Sequence, residues 1–375
     1  MDLKPNAEQR MLCDSLRRYL DSEYTFEQRR SIARRGGSFS RQAWRALADL
    51  GVLGLTIAPE YGGFGQGAAS QLLVQHELGR ALVLEPVTVS AVMAAAVLQR
   101  HGSEAQRLEW LPAMAAGERI VGLAYLEDEG ARDARGEVCA KAVRTGTGYS
   151  LSGRKTLVWH GEVADALLVM ASVAGEGPAL FMVPGVATGL RCEGYPTIDG
   201  LRACDVVLNN VMVPPQACIG QMGEGGAALE SGLEHGIAAL CAEAGGAMER
   251  LIELTADYLR TRQQFGKPLG SFQALQHRVA DMLVQKELAV SMAFVAAQAL
   301  SEPDPAQRGR MLSAAKFMVA KAGRFIGQQA VQLHGGMGMT DELAVGDYFK
   351  RLTMLDPLLG DSDCQLERFG SLMEA

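Results

Sequence analysis

The apolar positions in the first third of the chain fall at helical intervals. Leu12, Leu16 and Leu20 repeat every four residues behind Asn6 and Gln9. That pair has the spacing of a capping box, in which side chain and backbone satisfy each other's free N–H groups at a helix start. Ser40 opens a second helix with Trp44, Leu47 and Leu50 directed inward, and Gly51 is placed to stop it. Ser103 and Gln106 repeat the capping-box spacing, with Leu108, Leu111 and Met114 behind them. Between these helices lies Pro59–Gln66 (PEYGGFGQ), a turn-rich connector.

From about Val121 to Cys218 the period changes. Short apolar runs, Tyr149–Leu151, Ala166–Met170 and Ala179–Val183, are separated by Gly and Pro. They are too short for buried helices and predict a β domain, a small barrel or sandwich. From about Glu224 the pattern is helical again. Leu229, Leu233, Ile237, Leu240, Ala244, Met248 and Leu251 step by three and four, and a second run carries Leu275, Val279, Met282 and Leu283. A third opens at Asp304-Pro305, a cap followed by a residue suited to the first turn, and continues through Met311, Ala315, Met318, Ala322 and Phe325. A fourth starts near Thr340 and stops before Pro357. Four amphipathic helices with short connections predict a four-helix bundle. The expected fold is α+β and multidomain: an N-terminal α-helical domain over 1–120, a middle β domain over 121–218 and a C-terminal bundle over 219–375.

Composition narrows the function classes. The 375 residues exceed one compact core, and 48% apolar with 21% charged residues is an ordinary globular balance. The formal net charge is −7, with no long basic run to offset it, which argues against a nucleic-acid partner. The densest basic stretch, Arg29, Arg30, Arg34 and Arg35, reads as a solvated helix face. Seven scattered cysteines form no C-x-x-C, which fits a reducing cytoplasm and neither a disulfide framework nor a zinc site. The polar stretch Asp2–Arg10 is unlike a signal peptide, and no apolar run approaches the roughly 18 residues of a membrane span.

Two segments carry the chemistry. Arg260–Met282 reads RTRQQFGKPLGSFQALQHRVADM, and Gln332–Arg351 reads QLHGGMGMTDELAVGDYFKR. Arg262 offers a planar fork suited to phosphate, Gln264 an amide, and Phe265 an apolar face. Gly335 and Gly336 lack a Cβ and let a ligand approach the backbone. Core packing is the other reading of Phe265 and Phe272, and a packed histidine that of His334. His277 and His334 lack the company of a metal site. Both segments, together with PEYGG at Pro59–Gly63, closely resemble signatures of the acyl-CoA dehydrogenase family. The resemblance runs over essentially the whole chain. It implies a three-domain flavoprotein fold, FAD as cofactor, and contact of Arg262, Gln264, Phe265, Gln332, Gly335 and Gly336 with the AMP half of an FAD held by a neighbouring subunit.

The chain departs from that family where the chemistry would occur. The family's Thr-Glu-Pro-Gly-x-Gly-Ser-Asp segment corresponds to Leu126–Asp133, so its two hydroxyls fall at Leu126 and Arg132. The family's Lys-x-Trp-Ile-Thr-Asn segment corresponds to Lys155–His160, so the flavin-stacking Trp falls at Leu157 and the Thr at Trp159. The usual catalytic Glu falls at Leu359, before Gly360, and its alternative place at Gly236. The nearest carboxylates are Glu234, which helical geometry turns away by about 200°, and Asp361, the better candidate for a base. The segment Leu233–Leu251 (LEHGIAALCAEAGGAMERL) is similar to the small subunit of pimeloyl-CoA dehydrogenases and to one subunit type of heteromeric steroid-degrading enzymes. The resemblance therefore implies an acyl-CoA dehydrogenase subunit acting on an acyl-CoA in a dimer or tetramer. A second acyl-CoA dehydrogenase subunit would be its partner, and an electron-transfer flavoprotein its electron acceptor. A self-sufficient homo-oligomer using Asp361, and a catalytically silent scaffold, are the alternatives.

Overall fold

The computed structural model describes residues 5–35, 37, 39–127 and 138–374. Six α-helices come first: α1 (Ala7–Ser22), α2 (Phe26–Arg34), α3 (Arg41–Asp49), α4 (Ala68–Arg80), α5 (Ala95–His101) and α6 (Glu104–Ala115). Both capping boxes form as expected. The Asn6 side chain accepts from the Gln9 N–H at 2.8 Å, and Ser103 and Gln106 make the same reciprocal pair at the start of α6. Ser40 caps α3, which buries Trp44 and Leu47, and Gly51 ends it at φ +79°. Leu108 departs from expectation: it is 56% exposed, while Leu111 and Met114 are buried. Ahead of α5 the backbone forms a π-helix over Val87–Ala94, and the Ser90 hydroxyl accepts from the Val121 N–H at 3.0 Å.

The middle of the chain is one eight-stranded sheet. Its strands are β1 (Val121–Ala124), β2 (Lys141–Thr145), β3 (Gly148–Trp159), β4 (Ala166–Val173), β5 (Gly177–Pro184), β6 (Leu190–Pro196), β7 (Arg202–Val213) and β8 (Cys218–Ile219). They run in the order β6-β7-β3-β2-β4-β5-β8, with β1 parallel to β4. Tyr149, Leu151, Val169, Phe181, Val206 and Val211 fill the core of this sheet.

The C-terminal part holds α7 (Gly225–Thr261), a short hairpin β9 (Gln263–Gln264) and β10 (Lys267–Pro268), then α8 (Gln273–Ala299), α9 (Pro305–His334), α10 (Val345–Leu355) and α11 (Ser362–Glu374). The whole predicted apolar stripe of α7 from Leu229 to Leu251 is buried. In α9, Ala315 and Ala322 are buried as expected, whereas Leu312, Val319 and Ile326 are buried in place of their half-buried neighbours Met311, Met318 and Phe325. α10 begins five residues after Thr340, and α11 is a helix beyond the predicted four.

The chain divides into two compact units, one of residues 1–31, 68–83 and 237–375, the other of 32–67 and 84–236. Of the arginine cluster, Arg34 and Arg35 are exposed as predicted, but Arg29, in the first unit, is not. Arg29 is buried and donates to the Leu82 carbonyl at 2.8 Å and to Asp347 at 3.1 Å. Arg351 and Glu243 form a buried pair at 2.7 Å. Gly79 of α4 and Gly246 of α7 are dictated by close approach, because a Cβ would stand 2.0 Å from the Glu243 carbonyl oxygen and 1.9 Å from that of His76, respectively. Among the described residues no helix is long and apolar enough to cross a membrane.

Candidate functional site: a cationic groove beside the helical hairpin

Five of the six sequence-selected cofactor residues come together. Arg262, Gln264, Gln332, Gly335 and Gly336 line an open groove of about 650 Å³, with Tyr258, Leu269, Leu275, Arg278, Leu333 and His334 among the other walls. Local geometry explains how the chain builds it. α7 ends at Thr261, the Arg262 N–H still donates to the Tyr258 carbonyl at 2.8 Å, and the Leu269 N–H returns to the Arg262 carbonyl at 2.8 Å. Between them β9 and β10 pair around Phe265 (φ +54°) and Gly266 (φ +76°). Two successive left-handed residues give the turn whose twist suits a two-residue hairpin. Arg262 makes no side-chain hydrogen bond or ion pair among the described residues.

The opposite contribution comes from the end of α9. Gly335 sits at φ +59° and ψ −140°, a region essentially restricted to glycine, and its N–H donates to the Gln332 carbonyl. A Cβ on Gly335 or Gly336 would meet no chain atom within 4 Å, so the space in front of them belongs to the groove. Gly338 differs: a Cβ there would stand 2.8 Å from the Val331 carbonyl oxygen, and its role is packing. His334 is buried, its Nδ1 lies 2.8 Å from the Ala330 carbonyl, and its ring stacks on Tyr258 with centroids 4.4 Å apart. Burial pushes the imidazole below its ordinary pKa, so it is neutral at pH 7. The lining holds two guanidiniums and no carboxylate. Unpaired arginine, open glycines and an apolar floor fit the phosphates and adenosine of a dinucleotide.

Phe265 is not among the lining residues. It is 88% exposed at the hairpin tip and touches Phe272 edge-on at 6.1 Å. Sequence reasoning missed Tyr258 and Arg278. Tyr258 was readable as the residue one helical turn before Arg262, and Arg278 lies within the Arg260–Met282 segment already singled out.

The positions that would carry chemistry have a different character. In the second unit, β3 is irregular against β7 between Lys155 and Val158, and Leu157 takes φ +50°. The Leu157 N–H donates to the Tyr195 hydroxyl at 3.2 Å, which in turn donates to Asp205 at 3.0 Å. Leu157 and Trp159 are both half-buried and offer no aliphatic hydroxyl. Lys155 is fully buried and pairs with Glu127 at 2.5 Å. Burial lowers the lysine pKa. For Glu127 burial acts upward, but hydrogen bonds from Lys155 and the N–H groups of Ala140 and Cys139 outweigh it and lower the carboxyl. The departures assigned to Asp128–Asp133, Arg132 included, lie outside the described residues.

In the first unit, Leu359 takes φ +61° and Gly360 φ +93° in a loop that is held from every side. Buried Lys316 donates to the carbonyls of Leu355 (2.7 Å), Asp356 (2.8 Å) and Gly360 (3.4 Å), and the Gln365 amide donates to that of Leu359 at 2.8 Å. Asp361, the candidate base, is the N-cap of α11: its Oδ1 accepts from the Cys364 N–H at 2.8 Å. Glu234 and Gly236 lie on α7 in the second unit, with Glu234 buried.

Comparison with known proteins fits this fold. Residues 6–118 match the N-terminal domain of acyl-CoA dehydrogenases and residues 223–372 their C-terminal domain. The chain belongs to the acyl-CoA dehydrogenase family. Acyl-CoA dehydrogenase FadE27 of Mycobacterium tuberculosis is 33% identical over 94% of this chain and 93% of its own. The crystal structure of the ChsE4–ChsE5 complex from Mycobacterium tuberculosis superposes with a TM-score of 0.90 at 29% identity, covering 100% of this chain and 99% of that one. A glutaryl-CoA dehydrogenase from Mycobacterium smegmatis in complex with FADH2 gives 0.89 at 25% identity, over 98% and 95%.

Proposed function

We propose that this chain is one subunit of a heteromeric acyl-CoA dehydrogenase that introduces an α,β double bond into an acyl-CoA. It lends its groove to the AMP half of an FAD whose flavin ring, and whose catalytic base, lie in a partner chain. The observation that carries this reading is the contrast within one molecule. Five of the six selected cofactor residues line one groove, while the places for base and flavin contacts hold Leu359, Gly236, Leu157 and Trp159. FAD, when bound, accepts the hydride that leaves the β-carbon. This chain's residues bind and orient: Arg262 engages phosphate, Gln264 and Gln332 offer amides, and Gly335 and Gly336 admit the ligand to the backbone. The similarity to a ChsE4–ChsE5 complex supports a two-chain arrangement. We place the chain with the small subunits of pimeloyl-CoA dehydrogenase type, with an electron-transfer flavoprotein as electron acceptor and the cytoplasm as its compartment. Co-purification from the native host, with mass spectrometry and a flavin spectrum, tests this. A colourless chain that becomes yellow and active with an acyl-CoA dehydrogenase partner is the expected result; stoichiometric flavin and activity in the chain alone overturn it.

The reading requires an oligomer, because Arg262 and Gln332 serve a cofactor only when another chain presents the rest. α8 carries an exposed apolar stripe, Leu283, Val284 and Leu288, of the kind that marks association. A dimer or tetramer formed mainly through the C-terminal helices is expected in light scattering. A stable monomer at micromolar concentration, in the presence of the partner, contradicts it.

A further inference from the structure

Two of the cysteines meet at the edge of the sheet in the second unit. β6 ends the strand order and pairs with β7. In that ladder Cys192 stands opposite Val206 and Gly194 opposite Cys204, so the two cysteines are diagonal neighbours on one face. Both side chains converge on Gly161, in the turn after β3. The Cys192 Sγ lies 3.8 Å from the Gly161 carbonyl oxygen, and a Cβ on Gly161 would stand 2.4 Å from the Cys204 Sγ. Glycine at 161 thus leaves the room that the sulfurs occupy.

The two thiols are unequal. Cys192 is half-buried and packs against the sheet core, whereas Cys204 is buried within it. The Cys204 S–H donates to the Cys192 sulfur. That hydrogen bond pushes Cys192 below the ordinary thiol pKa, although burial and the Glu162 carboxylate act upward. It raises Cys204, and burial, Glu162 and Asp205 add to the rise. Glu162 is itself paired with Arg202 at 2.7 Å. Cys192 is therefore the thiol that ionises first and that solvent reaches, the two conditions for attack. Cys204 is sheltered and has one sulfur within its reach on the page, that of Cys192.

We propose that Cys192 and Cys204 form a reversible dithiol–disulfide couple, oxidised by a low-molecular-weight disulfide of the glutathione class. The Cys192 thiolate attacks one sulfur of that disulfide, and the proton it gave up leaves with the first released thiol. Cys204 then loses its proton and attacks the Cys192 sulfur of the mixed disulfide, expelling a second thiol that takes that proton. Two protein thiols lose two electrons and two protons, and one small disulfide gains them as two thiols. A disulfide needs Cβ atoms about 3.5–4.5 Å apart, and diagonal neighbours on a ladder start wider. Closing the bond draws β6 towards β7, a movement open to a strand at the sheet edge. The product is a labile modification and not a structural staple.

The test exposes the folded full chain to glutathione disulfide, quenches with acid, alkylates the remaining thiols after denaturation and maps the linkages by mass spectrometry without reduction. A bond joining Cys192 to Cys204, removed by dithiothreitol, is expected in the wild type. In Cys204→Ser, Cys192 should accumulate as its mixed disulfide with glutathione, because nothing resolves it. In Cys192→Ser, Cys204 should stay reduced, because the buried thiol has lost its route to the oxidant. Melting temperatures verify that both variants fold, and the wild-type map stands without them. Three results would overturn the couple: both cysteines alkylated after oxidation, Cys192 left glutathionylated in the wild type, or Cys192 linked to another cysteine.

Discussion

Replacing Arg262 by alanine is expected to weaken FAD retention in the assembled enzyme by roughly tenfold to a hundredfold. The guanidinium stands unpaired at the mouth of the groove, so its removal leaves no buried partner unsatisfied and should leave the fold intact. What is lost is interaction with ligand. A charge-assisted hydrogen bond contributes about 1.5–3 kcal/mol, and about 1.4 kcal/mol corresponds to a decade in affinity. Flavin content after exhaustive dialysis, measured against protein by absorbance, reads the effect directly. Unchanged flavin content would remove Arg262 from the cofactor site and, with it, the reason for assigning the groove to FAD.

Helix starts were the most legible part of this sequence. Asn6-x-x-Gln9, Ser40 and Ser103-x-x-Gln106 act within one turn, so the local sequence contains all the partners that decide the outcome. The α9 stripe was harder. Its alanines and glycines make several faces nearly equivalent in hydropathy, and the face that packs is chosen by α8, α10 and α11, which periodicity does not contain. Arg29 was misread for the same reason. Its partners, Leu82 and Asp347, are 53 and 318 residues away in sequence. The π-helix at Val87–Ala94 is apolar all round and gives no periodic signal. The extra helix α11 did carry a signal, since Asp361 is an acceptable N-cap. Weighing that carboxylate only as a base hid its structural use.

The groove was legible because its residues occur in two contiguous segments with chemistry suited to phosphate. The location of Phe265 was less so, because hairpin geometry, not sequence spacing, turns its ring outward to 88% exposure. The loop around Leu359 illustrates the limit in the other direction. Sequence shows a leucine and no carboxylate at 359, but not that Lys316 and Gln365 hold the strained backbone in place around it. Such strain persists only where surrounding contacts over-determine it. The loop thus fixes the backbone around Leu359, whose side chain has no proton acceptor.

Asp361→Asn decides whether this chain carries its own base. Asparagine caps a helix about as well as aspartate, so the bond from the Cys364 N–H that starts α11 should survive and folding should not confound the result. If the partner supplies the base, turnover of the complete assembly should stay within a few-fold of wild type. If Asp361 removes the α-proton, loss of general-base catalysis should lower the rate by roughly 10²–10⁴-fold. The expected result is the first. Leucine at 359 and glycine at 236 leave neither place with a proton acceptor, and Asp361 Oδ1 already serves the helix. The measurement belongs on the FAD-loaded assembly, with flavin content and oligomeric state checked alongside turnover. A collapse in rate with both intact would place the catalytic base in this chain and end the subunit reading.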